Sequence, residues 1–313
     1  DFADEYDVGK NTASTIIDRL QRDGFPVDYK VTDQYGTRLW YIDEDRDQVY
    51  SVDSGEGVYR FALISDTHLG SSVEHLRELH RFYDRVQQQG IEHVYHAGDI
   101  TDGWEVHKGH INVVKGEAAG WNRLLDYTVR NYPERDGVDT FFIEGNHDRK
   151  YHRRNGLHLG ELIGRRRRDL HYCGDSQATF VLDEDADIDL ELIHPSGGKP
   201  YTQGYRAQTL YRERPPADRP TISGIGHLHG KMYAAAEDVE AFYTGCWKGL
   251  TTYGKRKGHD SEIGGWIIEI EIEDGELRRV SPDWIGYESQ GEANVYDAEG
   301  ITEMTNRRPE SDT

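Results

Sequence analysis

Five short polar segments carry most of the chain's reactive side chains. In order they are Asp66-Thr67-His68, Gly98-Asp99-Ile100-Thr101-Asp102, Gly145-Asn146-His147-Asp148, Ile193-His194-Pro195 and Gly226-His227-Leu228-His229. Together they collect carboxylate, imidazole and amide groups but no thiol. Imidazole with carboxylate suits first-row divalent ions such as Mn, Fe or Zn, and the lack of Cys argues against a closed structural zinc site. The donors exceed what one tetrahedral ion needs. Two adjacent ions sharing a bridging carboxylate would use most of them. Such a pair activates water and clamps the attacking and leaving oxygens of a displacement at phosphorus.

Each segment alone has an ordinary explanation. Asp-x-His or Gly-Asp in a loop is a turn signal. Asn146 after Gly145 can be a turn residue that tolerates a left-handed φ. His227 and His229 lie two apart, so on a strand they face one side, as a ligand pair or as a solvated face. Position separates the readings. Four segments follow largely apolar runs at 61–64, 93–96, 141–143 and 221–225, and His194 closes 188–193, where Ile188, Leu190 and Leu192 alternate with acids. Strands that release polar residues at one edge build a common site, because ligands bind outside the carboxyl ends of strands in α/β sheets.

The elements needed to place them are legible. Residues 73–89 form an amphipathic helix with Leu76, Leu79, Phe82 and Val86 on one face. A second helix is expected over 117–131, and the βαβαβ start implies parallel strands. After residue 170 short strands dominate, at 178–182, 188–193, 232–236, 240–243, 266–272 and 276–280.

The order and spacing of the five segments resembles the calcineurin-like metallophosphoesterases, over roughly residues 58–273. That family includes phosphoprotein phosphatases, nucleotide phosphodiesterases and double-strand-break repair nucleases. The resemblance implies an α/β fold, a two-sheet sandwich flanked by helices. It implies Asp66, His68, Asp99 and His229 on a first ion, with Asp99 bridging and Asn146, His194 and His227 completing a second. It makes His147 the general acid for the leaving oxygen, with Asp102 orienting its imidazole. His194-Pro195 with Gly197-Gly198, Tyr205-Arg206, Gly245-Cys246-Trp247 and Gly264-Gly265-Trp266 resemble a phage and archaeal branch of the family. Some members of that branch carry a helix-turn-helix ahead of the phosphoesterase.

The first fifty residues differ in character. Short helices are expected over 3–8 and 12–23, joined by Gly9-Lys10-Asn11, and Ala13, Ile16, Ile17 and Leu20 make one apolar stripe. Asn11 can cap the second helix and Gly24 can end it. Runs at 27–31 and 37–42 flank Asp33-Gln34-Tyr35-Gly36, a hairpin signal. This order resembles the second half of a winged helix-turn-helix at 1–43. Lys10, Asn11, Thr12, Ser14, Thr15 and Arg19 would contact nucleic acid, with Arg38 on the wing. The flanking acids favour a cap or oligomerisation module instead. Residues 44–56 read as an acidic linker, 57–285 as the phosphoesterase domain and 286–313 as a polar tail.

Two further stretches have double readings. Arg165 to Arg168, with Arg149, Lys150, Arg153 and Arg154, read either as a phosphate-binding rim or as cations on a helix C-terminus. Gly197 and Gly198, followed by Tyr205 and Arg206, allow close approach of backbone to a substrate oxyanion or form only a wide turn.

Net charge is -21, with 58 acidic and 37 basic residues spread over the chain. Diffuse acidity is a solubility device that fits a halophilic setting, where a Debye length of ~3 Å in molar salt lets an acidic surface meet a polyanion. Only Cys173 and Cys246 are present, which excludes a disulfide framework and fits a reducing, cytoplasmic setting, in an archaeal host or encoded by a virus. The sequence shows neither a span of about eighteen apolar residues nor a leader pattern, so no membrane association is expected. Starting at Asp1 rather than Met, the chain reads as a piece of a longer one. The expectation is therefore a hydrolase using two divalent ions, Mn first with Fe, Zn or Ni as alternatives, acting as a phosphodiesterase or nuclease on nucleic acid. The alternatives are a phosphatase of phosphoproteins or small esters, and a DNA-binding regulator with a vestigial phosphoesterase domain.

Overall fold

The computed structural model describes residues 57–288, apart from 184–185, 199–201, 203, 252–253, 256–260 and 274, and the backbone of 27–31, 38–42 and 49–51. The last three segments are strands. β1 (Val27–Val31) and β2 (Arg38–Ile42) pair antiparallel from Val27↔Ile42 to Val31↔Arg38, which is the expected hairpin. The two expected helices at 3–23 lie outside the described residues, so the winged helix-turn-helix reading is carried no further than this hairpin. β3 (Val49–Ser51) falls inside the stretch expected to be an irregular linker, and it pairs parallel with β8 (Gln177–Asp183). The acids around it masked a short strand whose Val49 and Tyr50 favour extended backbone.

The rest alternates as the apolar runs require. β4 (Gly57–Ile64), α1 (Leu76–Gln88), β5 (His93–His96), α2 (Trp121–Asn131) and β6 (Asp139–Glu144) come first. Then follow α3 (Arg149–Asn155), α4 (Leu159–Gly164), β7 (Leu170–Asp175), β8 and β9 (Ile188–Ile193). Last come α5 (Tyr205–Tyr211), β10 (Ile222–Ile225), β11 (Lys231–Ala236), β12 (Val239–Thr244), β13 (Gly264–Glu273) and β14 (Glu276–Gly286). The helix expected over 117–131 begins at Trp121, after a separate 3-10 turn at Gly116–Ala118, because Gly120 takes φ +98° and breaks the run.

Two mixed six-stranded sheets result, ordered β14-β13-β4-β5-β6-β7 and β11-β12-β10-β9-β8-β3. Alternation along β4 decides which side chain serves which layer. Phe61 and Leu63 enter the core between the sheets with Tyr95, Phe180, Leu190, Leu192, Phe242 and Ile268. Ala62 and Ile64 face the other way, into the cluster made by α1 and α2 through Leu79, Phe82, Val86 and Leu124. A third cluster seats Ala207 and Tyr211 of α5 on Ile193, Ile225 and Tyr243 of the second sheet. Each large apolar side chain buried this way contributes roughly 1.5–3 kcal/mol, so the layers hold the strand ends in fixed register.

That register positions the site. Ile64 pairs with His96 and His96 with Phe142, so the parallel strands β4, β5 and β6 end side by side. Ile225 pairs with Ile193, which brings the ends of β9 and β10 together in the second sheet. The loops beyond are joined by main-chain hydrogen bonds, Asp66 N–H to Gly98 O at 2.8 Å and His68 N–H to Asp99 O at 3.0 Å.

Candidate metal centre

All seven side chains expected to ligate metal converge at these strand ends. The backbone that presents them is strained. Asp66, His68, Asp99, His227 and His229 have positive φ (52°, 46°, 55°, 73° and 52°), and they are half of the ten non-glycine residues that do so among the described residues. Each such conformation costs on the order of 1–3 kcal/mol and persists where the surroundings over-determine it. Asn146, the one residue whose type suggested a left-handed φ, does not adopt it. Gly145 has a steric reason instead: a Cβ there would fall on the Asp99 carboxylate.

Two groups of donors form around Asp99. In the first, Asp66 Oδ1 stands 3.1 Å from His229 Nε2 and 3.6 Å from His68 Nε2, and the two imidazole nitrogens are 3.1 Å apart. In the second, His194 Nε2 lies 3.4 Å from Asp99 Oδ2 and 3.2 Å from Asn146 Oδ1, which is 2.7 Å from His227 Nδ1. Asp99 Oδ2 also lies 3.8 Å from His68 Nε2, so one oxygen faces both groups. Asp66, His68, Asp99 and His194 are buried, while Asn146, His227 and His229 form the partly open side. His227 and His229 do not share a side, as strand geometry would require. Both sit in the loop after β10 with left-handed φ, and they turn to different groups.

The tautomers show that these donors fit metal. His194 Nδ1–H donates to Ala97 O at 2.7 Å, so its lone pair is on Nε2 and faces Asp99 and Asn146 oxygens. His227 Nε2–H donates to Gly197 O at 2.6 Å, which leaves a lone pair on Nδ1 facing Asn146 Oδ1. Asp66 Oδ2 is taken by Ser65 Oγ–H and by His227 N–H at 2.8 Å, whereas buried Oδ1 has no hydrogen-bond partner. Acceptors facing acceptors in a buried pocket call for cations, and in their absence protons take the role. Burial alone would lower the His194 pKa, but Asp99 outweighs it and holds the imidazole up at about 9. Against the same burial, Cys246 and Asp66 raise His229 well above its ordinary value. Burial works against Asp66 and Asp99 as well, yet the neighbouring imidazoles keep both carboxylates ionised far into acid.

His147 sits beside the first group, its ring 4.6 Å from that of His68 and its amide donating to Asp99 Oδ1 at 2.8 Å. Its expected partner needs correction. The Asp102 carboxylate is 3.8 Å from His147 Nδ1, and it is the Asp102 main-chain carbonyl that accepts this N–H, at 2.6 Å. The carboxylate turns instead to His68 Nδ1 at 3.0 Å. Burial pushes His147 down to about 3, with Asp99 pulling against it and His68 and Lys248 reinforcing it. The imidazole is therefore neutral at pH 7, with its hydrogen on Nδ1 and a bare Nε2.

Several partners carried no sequence signal. Asp148 accepts the amides of Gly145, Ile100 and Thr101 at 3.1, 3.0 and 2.9 Å, tying the second segment to the third. His110, in a 3-10 turn, and Lys248, between β12 and β13, both reach Asp102. The hydroxyls behind Asp66, Ser65 Oγ–H on its Oδ2 and Thr244 Oγ1–H on Ser65, follow apolar runs and carry no such signal either.

The cationic stretch is mostly structural. Arg167 is buried on Val129, Tyr132 and Pro133 carbonyls and on Asp169. Arg165 pairs with Glu161, Arg166 with Asp126, Arg154 with Glu105, and Arg149 with Asp175. These pairings remove most of the expected rim and leave Arg153 exposed on α3. Gly197 and Gly198 lie at the mouth, their carbonyls held by His227 and by Arg206 Nη2 at 3.0 Å, and Tyr205 is exposed at the start of α5. Lys10, Asn11, Thr12, Ser14, Thr15 and Arg19 lie outside the described residues, and of Arg38 only its place on β2 is described.

Residues 59–250 match the calcineurin-like phosphoesterase family. A comparison with curated proteins found no match. Among solved structures, an archaeal phosphodiesterase is 15% identical over 72% of this chain and 99% of its own, with a TM-score of 0.37. Vacuolar protein sorting 29 from Entamoeba histolytica, solved with zinc, is 14% identical over 73% of this chain and 99% of its own, with a TM-score of 0.36. The Cryptosporidium parvum protein of that name is 12% identical over 74% and 100%, with a TM-score of 0.39.

Proposed function

Because the chain belongs to the calcineurin-like phosphoesterase family and is a metal-dependent phosphoester hydrolase, we propose that it works with two divalent ions on the phosphodiesters of nucleic acid. The observation that supports two ions is the pair of donor groups meeting at Asp99. Asp66, His68 and His229 would hold one ion, Asn146, His194 and His227 the other, and Asp99 would bridge. Imidazole with carboxylate and no thiol suits first-row divalent ions, and Mn is proposed first, with Fe, Zn or Ni as alternatives. When bound, such a pair supplies an activated water and a clamp on the phosphoryl oxygens.

The protein's own part in the proposed reaction is positional and protic. Ser65 and the His227 amide fix Asp66, and the His147 amide fixes Asp99. His147, pinned through Nδ1, offers Nε2 for proton exchange with the leaving oxygen. Its ground state is neutral, with Nε2 bare. The mouth residues Gly197, Gly198, Tyr205, Arg206 and Arg153 are proposed to meet the substrate backbone, with Arg149 behind them steadied by Asp175. The nucleic-acid reading draws its support from the N-terminal half-motif and from the β1–β2 hairpin that ends it.

The test is turnover with Mn against bis-p-nitrophenyl phosphate, p-nitrophenyl phosphate, and single- and double-stranded DNA and RNA. Cleavage of the diester and of a polymer supports the reading. Hydrolysis of the monoester alone selects the phosphatase instead.

A further inference from the structure

Asp102 is the hub of a cluster that the two proposed ions do not use. Its carboxylate is fully buried. Oδ1 meets His68 Nδ1 at 3.0 Å and Lys248 Nζ at 2.5 Å, and Oδ2 lies 3.2 Å from His110 Nε2. Its main-chain carbonyl holds His147. Asp102 therefore touches one proposed ligand and the proposed acid at once. His110 is fully buried, its ring edge-on to His107 and His147, and neither of its nitrogens makes a well-formed hydrogen bond. Asp102, His110 and His147 bring three ligand atoms within 4.8 Å of one another, a donor set like the two metal groups.

A cation belongs at such a cluster, and the chain supplies one from a distant segment. Lys248 reaches Asp102 with its side chain only 12% exposed. A buried carboxylate beside Asp66 and Asp99 is destabilising without a counter-charge, and a third divalent ion would be repelled by the ammonium already there. We propose that Lys248 is a positioning residue of the phosphoesterase reaction: its ammonium takes the place of a third ion, and by fixing Asp102 it fixes both His68 and His147. Metal-ligating imidazoles depend on the partner of their second nitrogen for orientation and basicity. For His68 that partner is the Asp102 carboxylate, and Asp102 keeps its place through Lys248.

The inference rests on the two-ion reading, so wild type is measured first, for Mn stoichiometry and for turnover of bis-p-nitrophenyl phosphate. Fewer than two Mn bound, with full turnover, overturns that reading and this inference with it. With wild type intact, Lys248→Met should weaken Mn binding in calorimetric titration by ~10–100-fold and lower kcat by a similar factor, with KM within about twofold. Asp102→Asn with Lys248→Met should be no worse than Asp102→Asn alone, since both act through one group. Lys248→Arg keeps the charge and should restore Mn affinity at least in part, which separates positioning from a folding defect. A raised KM with unchanged Mn affinity would make Lys248 a substrate contact, and additive losses in the double variant would disconnect it from Asp102. Either result, or an Arg variant as damaged as the Met variant, overturns the proposal.

Discussion

Raising the pH of the metal-free protein should destabilise it, and Mn should reduce that loss. His194 titrates near 9 in the folded chain against 6.5 for an ordinary histidine. The protonated ring interacts with Asp99, so its contribution is complete below pH 6.5 and is lost as pH rises through 9. Between pH 6.5 and 8.5 about 2 kcal/mol of it is lost at ~1.4 kcal/mol per pH unit, since the unfolded ring is already half deprotonated at 6.5 and the folded one begins to follow by 8.5. No discount for solvent applies, because the His194 side chain is 1% exposed. His229, also raised, adds to the loss. His96 and His147, both pushed down to about 3 by burial, act on the other limb. They stay neutral when folded and take protons on unfolding, so their stabilisation is present above pH 6.5 and lost as pH falls below it. Stability of the metal-free protein should therefore peak near pH 6.5, and the melting temperature should fall roughly 4–8 °C by pH 8.5 at ~2–4 °C per kcal/mol. Coordinated imidazoles are neutral, so the Mn-saturated protein should lose less stability on the alkaline side than the metal-free one. Part of what remains comes from Asp148, whose buried carboxyl is pushed up to about 8. The stabilisation by Mn should be larger at pH 8.5 than at 6.5. Mn binding at pH 7.5 should release at least about one proton, read by calorimetry in buffers of different ionisation enthalpy. A melting temperature flat between pH 6.5 and 8.5 without Mn, with no proton release, would refute the placement of His194 against Asp99.

Three other perturbations separate the parts. His147→Ala should lower kcat by ~10²–10⁴-fold on esters with poor leaving groups and much less on p-nitrophenyl esters; equal losses on both would mean that His147 only organises the site. Gly145→Ala places a methyl group on the Asp99 carboxylate and should abolish tight Mn binding, whereas Gly116→Ala meets nothing within 4 Å and should bind Mn like wild type. Removing residues 1–46, which spares β3 and its pairing with β8, should leave hydrolysis of bis-p-nitrophenyl phosphate unchanged and reduce polymer cleavage, most at low salt. Polymer cleavage untouched by that truncation would detach the hairpin region from substrate binding.

What could be read from the sequence was set by how far each signal extends along the chain. Asp66, Asp99, Asn146, His194, His227 and His229 were legible because each follows an apolar run, and a run that ends at one sheet edge fixes where its last residue goes. The alternation of β4 and the stripe of α1 were legible for the same reason. Conformation inside the loops was not, since Asp and His tolerate positive φ more than most residues but adopt it at only a few of their positions. Hence the spacing of His227 and His229, which on a strand would put both on one side, does not reveal that they turn to two groups; only the family resemblance implied it. β3 was hidden because three residues among acids give no period. The Arg165 to Arg168 run kept two readings because composition does not say where a charge points: Arg167 turns inward to main-chain carbonyls while Arg165 and Arg166 pair with acids.

The Asp102 cluster shows where such reading stops and geometry has to take over. Asp102 was expected to orient His147 and does contact it, but through an atom the residue type does not announce, because the useful atoms of Asp102 divide between main chain and side chain. The carbonyl goes to His147 and the carboxylate to His68, so one residue sets two imidazoles with different proposed roles. His110 and Lys248 stand in segments with no spacing relation to the five polar ones, and only the meeting of the α2-side loop with the β12–β13 connection brings them there. Three buried carboxylates, Asp66, Asp99 and Asp102, lie within one site, and each needs positive charge. Two can receive it from ions that come and go with solution conditions, but the third receives it from the chain. A centre built this way can lose its metals and keep Asp102 in place, so His68 and His147 remain set for the ions' return. Mn-free protein should accordingly recover full turnover on adding Mn without a slow refolding phase, and a lag longer than mixing in stopped-flow hydrolysis would show that the cluster collapses when the ions leave.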